Sequence, residues 1–283
     1  MGRIAYTFDM MRSSWELLKQ EKRLVVFPLI SGFCCLLVML AFGLPLVSAE
    51  GIPSAEKFHQ HPALYYGVLF AFYFVSYFVI IFFNSALISC AIGRMRGAEP
   101  TISSGFNMAL SRLPQIAGWA LVSATVGIIL RIIEDRSKAV GRFVAGLLGM
   151  GWSIATFFVV PILVVERKGP FAAVRESAAL FRKTWGERFI GAVSFGLVFF
   201  ILVLPGIIAF LVGGLMHAAS PVLGGLLVAV GIIYIVALGL VQATLQTIFQ
   251  AAVYLYARDG RAPRGFSDSG LSAAMVPARE REE

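Results

Sequence analysis

The 283 residues carry 58% hydrophobic and only 14% charged side chains, where a soluble globular domain has about 25% charged. That composition excludes the one or two soluble domains the length alone would permit. The net charge of +8 would invite a nucleic-acid reading in a soluble chain, but no zinc-finger, RNP-like or helix-turn-helix pattern accompanies it, and no nucleic-acid partner is predicted.

The first 23 residues predict an amphipathic helix. Ile4, Phe8, Met11, Trp15 and Leu18 recur at spacings of three and four, and Arg12, Glu16, Lys19 and Arg23 supply a wet face. Trp15 is an expected interfacial anchor. Uncharged runs follow from Leu24 to Ala49, Pro62 to Gly93, Leu113 to Leu130, Phe143 to Val165 and Phe189 to Ala257. A spanning helix needs roughly 20 apolar residues. The last run, 69 residues long, therefore holds two spans, divided where Gly and Pro cluster in "GGLMHAASPVLGG", residues 213 to 225. Charges avoid every run, as the cost of an ion in mid-bilayer demands. The predicted fold is all-α, an integral membrane bundle of six transmembrane helices. "VSAE" at 47 to 50 looks slightly like a signal-peptide cleavage site. The run before it is too long for a signal-peptide core and is preceded by a charged segment, so it is expected to persist as a span.

The second span carries an aromatic series from Tyr65 to Phe83 that suits either a lipid-lined cavity or a packing surface, with Asn84 and Ser85 after it. The polar segments at 98–112 and 169–188 predict further amphipathic helices. Ile102, Phe106, Ala109 and Leu113 share one face in the former; Phe171, Val174, Ala178, Phe181, Trp185 and Phe189 share one in the latter. Phe181 and Trp185 are expected anchors at the headgroup level. The chain thus divides into three weakly repeated units, 1–97, 98–168 and 169–257, each an interfacial helix plus a hairpin. "GRMRGAEP", "ERKGP" and "ARDGRAP" end them alike, with charge running into Gly and Pro. Residues 258–283 read as a mostly disordered tail.

With six spans the termini share a side, and 19 of the 24 Lys and Arg fall there. The positive-inside rule makes that side cytoplasmic, with anionic headgroups as the partner of the juxtamembrane cations.

In the sixth span Gln242, Gln246 and Gln250 recur at every fourth position. Amides need partners away from lipid; the expected ones are Asn84 or backbone opened near Pro161 or Pro205. The row reads as interhelical glue or as part of a solute path. Glu134, Asp135, Arg136 and Lys138 form a solvated external turn or a small ion-pair cluster. Glu56, His59 and His61 have at most a weak metal spacing, and Cys34, Cys35 and Cys90 have none. No Walker loop, dinucleotide fingerprint, H-E-x-x-H or G-x-S-x-G occurs. No catalytic, metal or cofactor residues are predicted.

"SWELLKQEKRLVVFP", "VVERKGPFAAVRESAALFRKTWGE" and "AAVYLYARDG" resemble an uncharacterised prokaryotic family of polytopic membrane proteins, domain of unknown function 6159. The resemblance covers most of residues 1 to 260 and implies architecture, not activity. A looser similarity reaches the membrane domains found beside glycerophosphodiester phosphodiesterases. Their soluble barrel has no counterpart in these residues, so hydrolysis is not implied. The expected function is structural or regulatory, organising membrane partners or further copies of the chain. The alternatives are a transporter or channel for a small or lipid-like solute and, behind it, a membrane-embedded enzyme.

Overall fold

The computed structural model describes residues 3–48, 62–136, 140–185, 190–217 and 219–267. Among these are ten α-helices: α1 Arg3–Gln20, α2 Val26–Ser48, α3 Pro62–Met95, α4 Ile102–Ser111, α5 Leu113–Arg136, α6 Val140–Ala155, α7 Val159–Glu166, α8 Pro170–Trp185, α9 Ile190–Met216 and α10 Pro221–Asp259. A 3₁₀ turn, Lys22–Val25, joins α1 to α2. Six segments are long and apolar enough to cross a membrane, and the protein is a multi-pass membrane protein.

The chain divides into two compact units, Val26–Lys183 and Met1–Val25 with Thr184–Glu283. The first is built on α3. Its 34 residues extend for about 50 Å at 1.5 Å per residue, well beyond the roughly 30 Å of hydrocarbon in a bilayer. The excess is sheathed by protein: Ala86, Leu87, Ile88, Ala91 and Met95 near its C-terminus are buried under α4 and α7. α2 and α5 flank α3, and α6 packs on α5, where Trp119 and Trp152 stack with centroids 5.6 Å apart. Outward-facing side chains on α2 and α6, among them Phe33, Met39, Phe143 and Met150, are exposed, as a lipid-facing surface requires.

The fourth span is not one helix. A turn at 156–158 separates α6 from the buried α7. Pro161 lies in the first turn of α7, where a missing N–H leaves no gap. The amide of Phe158 at the break is buried and donates to the Ser177 hydroxyl of α8 at 2.9 Å. α8 therefore does more than lie on a surface: Ala173 and Ser177 are buried. A Cβ on Gly118 of α5 would come within 3.0 Å of Pro170.

α4 is docked by its small side. Thr101 and Ser104 form a reciprocal capping box at its start. Gly105 lies so close to α3 that a Cβ would sit 2.7 Å from Cys90 Sγ and from the Phe27 ring. Phe106 then meets Phe27, Phe82 and Phe83 with centroids 5.5, 6.1 and 5.8 Å away.

The second unit repeats the plan of a long helix with a sheathed end. α10 has 39 residues; its half from Thr244 to Leu255 is mostly buried, while Val222 to Val236 largely faces outward. α1 packs on α10 and α9 and buries Met10, Ser14, Leu17 and Leu18. α9 and α10 form an antiparallel hairpin held at four glycines. A Cβ on Gly231 would lie 2.9 Å from the Gly206 carbonyl oxygen, and one on Gly213 would lie 2.8 Å from that of Gly224. In lipid, where no hydrophobic force draws helices together, such close backbone approach is how they associate.

Candidate functional site

The polar residues of the membrane core and rim are the places where chemistry could be held. In the α10 row, Gln242 and Gln250 are half-buried and Gln246 is exposed. The neighbouring hydroxyls turn back on their own helix: Thr244 donates to the Leu240 carbonyl at 2.7 Å and Thr247 to that of Ala243 at 2.8 Å. Asn84 is half-buried on α3 and belongs to the other unit.

Other residues serve the backbone near the two prolines. Tyr234 donates its hydroxyl to the Leu202 carbonyl at 2.8 Å, one turn before Pro205, and Ser177 accepts the amide at the break before Pro161. The Tyr234 pairing had a signal in the sequence: Pro205 and Tyr234 are nearly symmetric about the Gly/Pro cluster at 213–225, as are Gly206 with Gly231 and Gly213 with Gly224. Ser177 had none, because its partner depends on how α8 folds back.

The aromatic series on α3 divides by neighbour. Tyr65, Leu69 and Phe72, with Met39, Phe42 and Gly43 of α2, line an apolar pocket of ≈ 250 Å³. Phe42 and Phe72 meet edge to face across it at 5.7 Å. Tyr73 and Tyr77 instead pack beside Gly127 of α5, where a Cβ would lie 3.2 Å from the Tyr73 ring.

Of the expected anchors, Trp15 is 40% exposed, with Lys19 Nζ 5.7 Å from its ring centroid; Arg12 pairs beside it with Glu16 at 3.1 Å. Phe181 is half-buried. Trp185 ends α8, and its side chain lies outside the described residues, as do those of Ile4 and Phe8. Also outside them are Phe189, the Glu56, His59 and His61 group, Lys138, and the tail beyond 267. Glu134, expected in a turn after the third span, lies instead in the last helical turns of α5, where Arg131 pairs with it at 3.5 Å. Among the described residues no three His, Cys, Asp or Glu side chains converge in a metal-binding group.

The densest polar cluster surrounds the end of α7. Arg167 closes that helix in the left-handed conformation, φ 57°, uncommon for a residue with a Cβ. The helix thereby ends two residues before Gly169, the position where the sequence placed the stop. Lys168 bonds Glu166 at 2.7 Å and also Glu176 of α8. Its hydrogen bonds to Glu166, then to Glu176, raise its pKa above the ordinary lysine value.

Arg112, between α4 and α5, is 5% exposed. Its Nε donates to the Val164 carbonyl at 3.2 Å, in the last turn of α7, where a cation complements the helix dipole. Nη1 reaches the Ser111 carbonyl at 3.5 Å and hydroxyl at 3.3 Å. Burial, and then the charge of Arg167, push the Arg112 pKa down from its usual value.

No curated protein and no solved structure matches this chain. One family model matches residues 63–266, from the start of α3 through the segment after α10. By that match the chain belongs to a family of unknown function, DUF6159.

Proposed function

We propose that the protein organises other membrane components at the cytoplasmic face of a prokaryotic plasma membrane. The carrying observation is the pair of faces on its three short amphipathic helices. α4 and α8 bury small residues (Gly105 and Ala109; Ala173 and Ser177), α1 buries Met10, Ser14, Leu17 and Leu18, and the three helices leave Leu110, Phe171 and Trp15 at 50%, 79% and 40% exposure. A large apolar group fixed at the edge of a membrane bundle has two ways to leave water: the headgroup layer or another protein. The excess of Lys and Arg on one side of the six-span topology supports the cytoplasmic assignment. The helix order, α1 before α2–α3, α4 before α5–α7 and α8 before α9–α10, supports a threefold repeat of interfacial helix and hairpin.

Photo-crosslinking in cells from a probe at position 171, on an otherwise unchanged chain, tests the proposal. The expected product is a reproducible membrane-protein adduct or a dimer of this chain, lost when Leu110 is changed to Ser. Crosslinking to lipid alone, in every growth condition, would overturn it.

A second reading, transport of a small or lipid-like solute, is favoured by the broken fourth span, because discontinuous helices build many transporter binding sites. Solute flux in reconstituted liposomes, abolished by Ser177→Trp at the break, would favour that reading over the first.

A further inference from the structure

Arg112 and Arg167 occupy matching places on two neighbouring spans. The third apolar segment begins at Leu113 and the fourth ends at Glu166, so each arginine is the first residue beyond its hydrocarbon stretch. Bonding of Arg112 to the Val164 carbonyl brings the two chain segments together at one level.

Their charge is uncompensated. Arg112 is buried, yet its partners are two carbonyls and a hydroxyl, all neutral. Among the described residues its Nη2 has no partner, and neither Arg112 nor Arg167 has a carboxylate. The acids beside them, Glu166 and Glu176, are both held by Lys168. Buried charge is ordinarily paired, and Arg167, exposed, adds a second positive charge to the place. A planar guanidinium anchored by Nε and Nη1 presents its remaining N–H groups in a fixed direction, which suits the oxygens of a phosphate.

We propose that Arg112 and Arg167 form a clamp for a phosphate ester, supplied by an anionic phospholipid whose phosphate lies at the boundary between hydrocarbon and headgroups. Basic pockets between spanning helices bind lipid headgroups in this manner. The clamp is independent of the organising role above: it holds whether or not another protein docks on α8.

The test is thermal melting of the purified full chain in neutral detergent, titrated separately with phosphatidylglycerol, phosphatidylcholine and inorganic phosphate. Phosphatidylglycerol should raise the melting temperature saturably and phosphatidylcholine should not. Arg167→Gln should raise the half-saturating phosphatidylglycerol concentration about fivefold, the worth of one cation near an anionic surface. Arg264→Gln, which removes the same charge from the C-terminal segment, should leave it unchanged. Arg112→Gln, if it folds, should abolish the saturable shift.

Saturation by inorganic phosphate alone, lost in Arg167→Gln, would uphold the clamp and name free phosphate as its source. An Arg167→Gln protein that responds to phosphatidylglycerol as the parent does, or equal responses to the two lipids, would overturn it.

Discussion

Alanine at Gly213 and Gly231 together should open the α9–α10 hairpin. The new methyl at Gly231 would sit 2.9 Å from the Gly206 oxygen and 2.9 Å from the Phe210 nitrogen; at Gly213 it would sit 2.7 Å from the Val228 nitrogen and 2.8 Å from the Gly224 oxygen. These obstacles are backbone atoms of the facing helix, so no rotamer change relieves them. Comfortable contact begins near 3.5 Å, and the helices must part by roughly 0.6–0.8 Å at each site. A gap of that size forfeits a quarter to a half of each dispersion contact beside it, and overpacking of this kind costs about 1–3 kcal/mol.

The two sites share one interface, so their costs are not additive: the separation forced by the first methyl makes room for the second. About 3 kcal/mol is expected for the pair. The Tyr234–Leu202 bond, stretched from 2.8 Å, adds only about 0.6 kcal/mol, the average for hydrogen bonds between membrane helices, so packing dominates. Gly214 and Gly225 are adjacent in sequence but have open space around them, and the Gly214→Ala, Gly225→Ala pair is the matched control. Equilibrium unfolding in mixed detergent micelles should destabilise the first pair and leave the control within about 0.5 kcal/mol of the parent. Equal losses in both pairs, or none in the first, would refute the close-contact account.

Two further outcomes follow from the polar contacts. Ser177→Ala removes the hydroxyl that accepts from the buried Phe158 amide and should cost about 0.5–1.5 kcal/mol, the net worth of one hydrogen bond; hydrogen exchange should accelerate at the start of α7, and no change there would separate Ser177 from the break. Lys168 has a raised pKa in the folded chain, so its stabilising effect is complete below the ordinary lysine value of 10.5 and fades as pH rises through the raised one. The melting-temperature gap between parent and Lys168→Gln should therefore be level from neutral pH to the mildly alkaline range and close above it. A gap that widens with rising pH would contradict the pairing with Glu166 and Glu176.

The spans were legible because hydrocarbon imposes a rule on each residue separately. Run ends such as Leu24 and Ala49, Pro62 and Gly93, or the start at Leu113, fall within a few residues of α2, α3 and α5. The cluster at 213–225 correctly divides the last run, although Gly213 and Gly224 lie inside the helices and serve their contact. Pro161 marked a place where backbone could open, but the position of the break at 156–158 was not legible, because the run from Phe143 is uncharged throughout and the amide at the break is satisfied by a serine 19 residues later.

On α8 the apolar stripe through Phe171 was read as one face, while the docked face holds Ala173 and Ser177. Close helix packing selects small side chains, and these leave no mark on a hydrophobic pattern. The anchoring of Arg112 was equally invisible: a lone basic residue before a span looks the same whether it meets water or the end of another helix.

The packing of α1 on α9 and α10 joins segments some 170 or more residues apart in the chain. During synthesis, the Met10, Ser14, Leu17 and Leu18 face emerges long before its cover exists, and the four spans between Val26 and Glu166 are made first. Until then the leading helix has to shelter against the membrane surface or a chaperone. The α9–α10 hairpin is thus what completes the burial of α1, and a chain cut before residue 190 leaves the Met10, Leu17 and Leu18 face without the cover it has here.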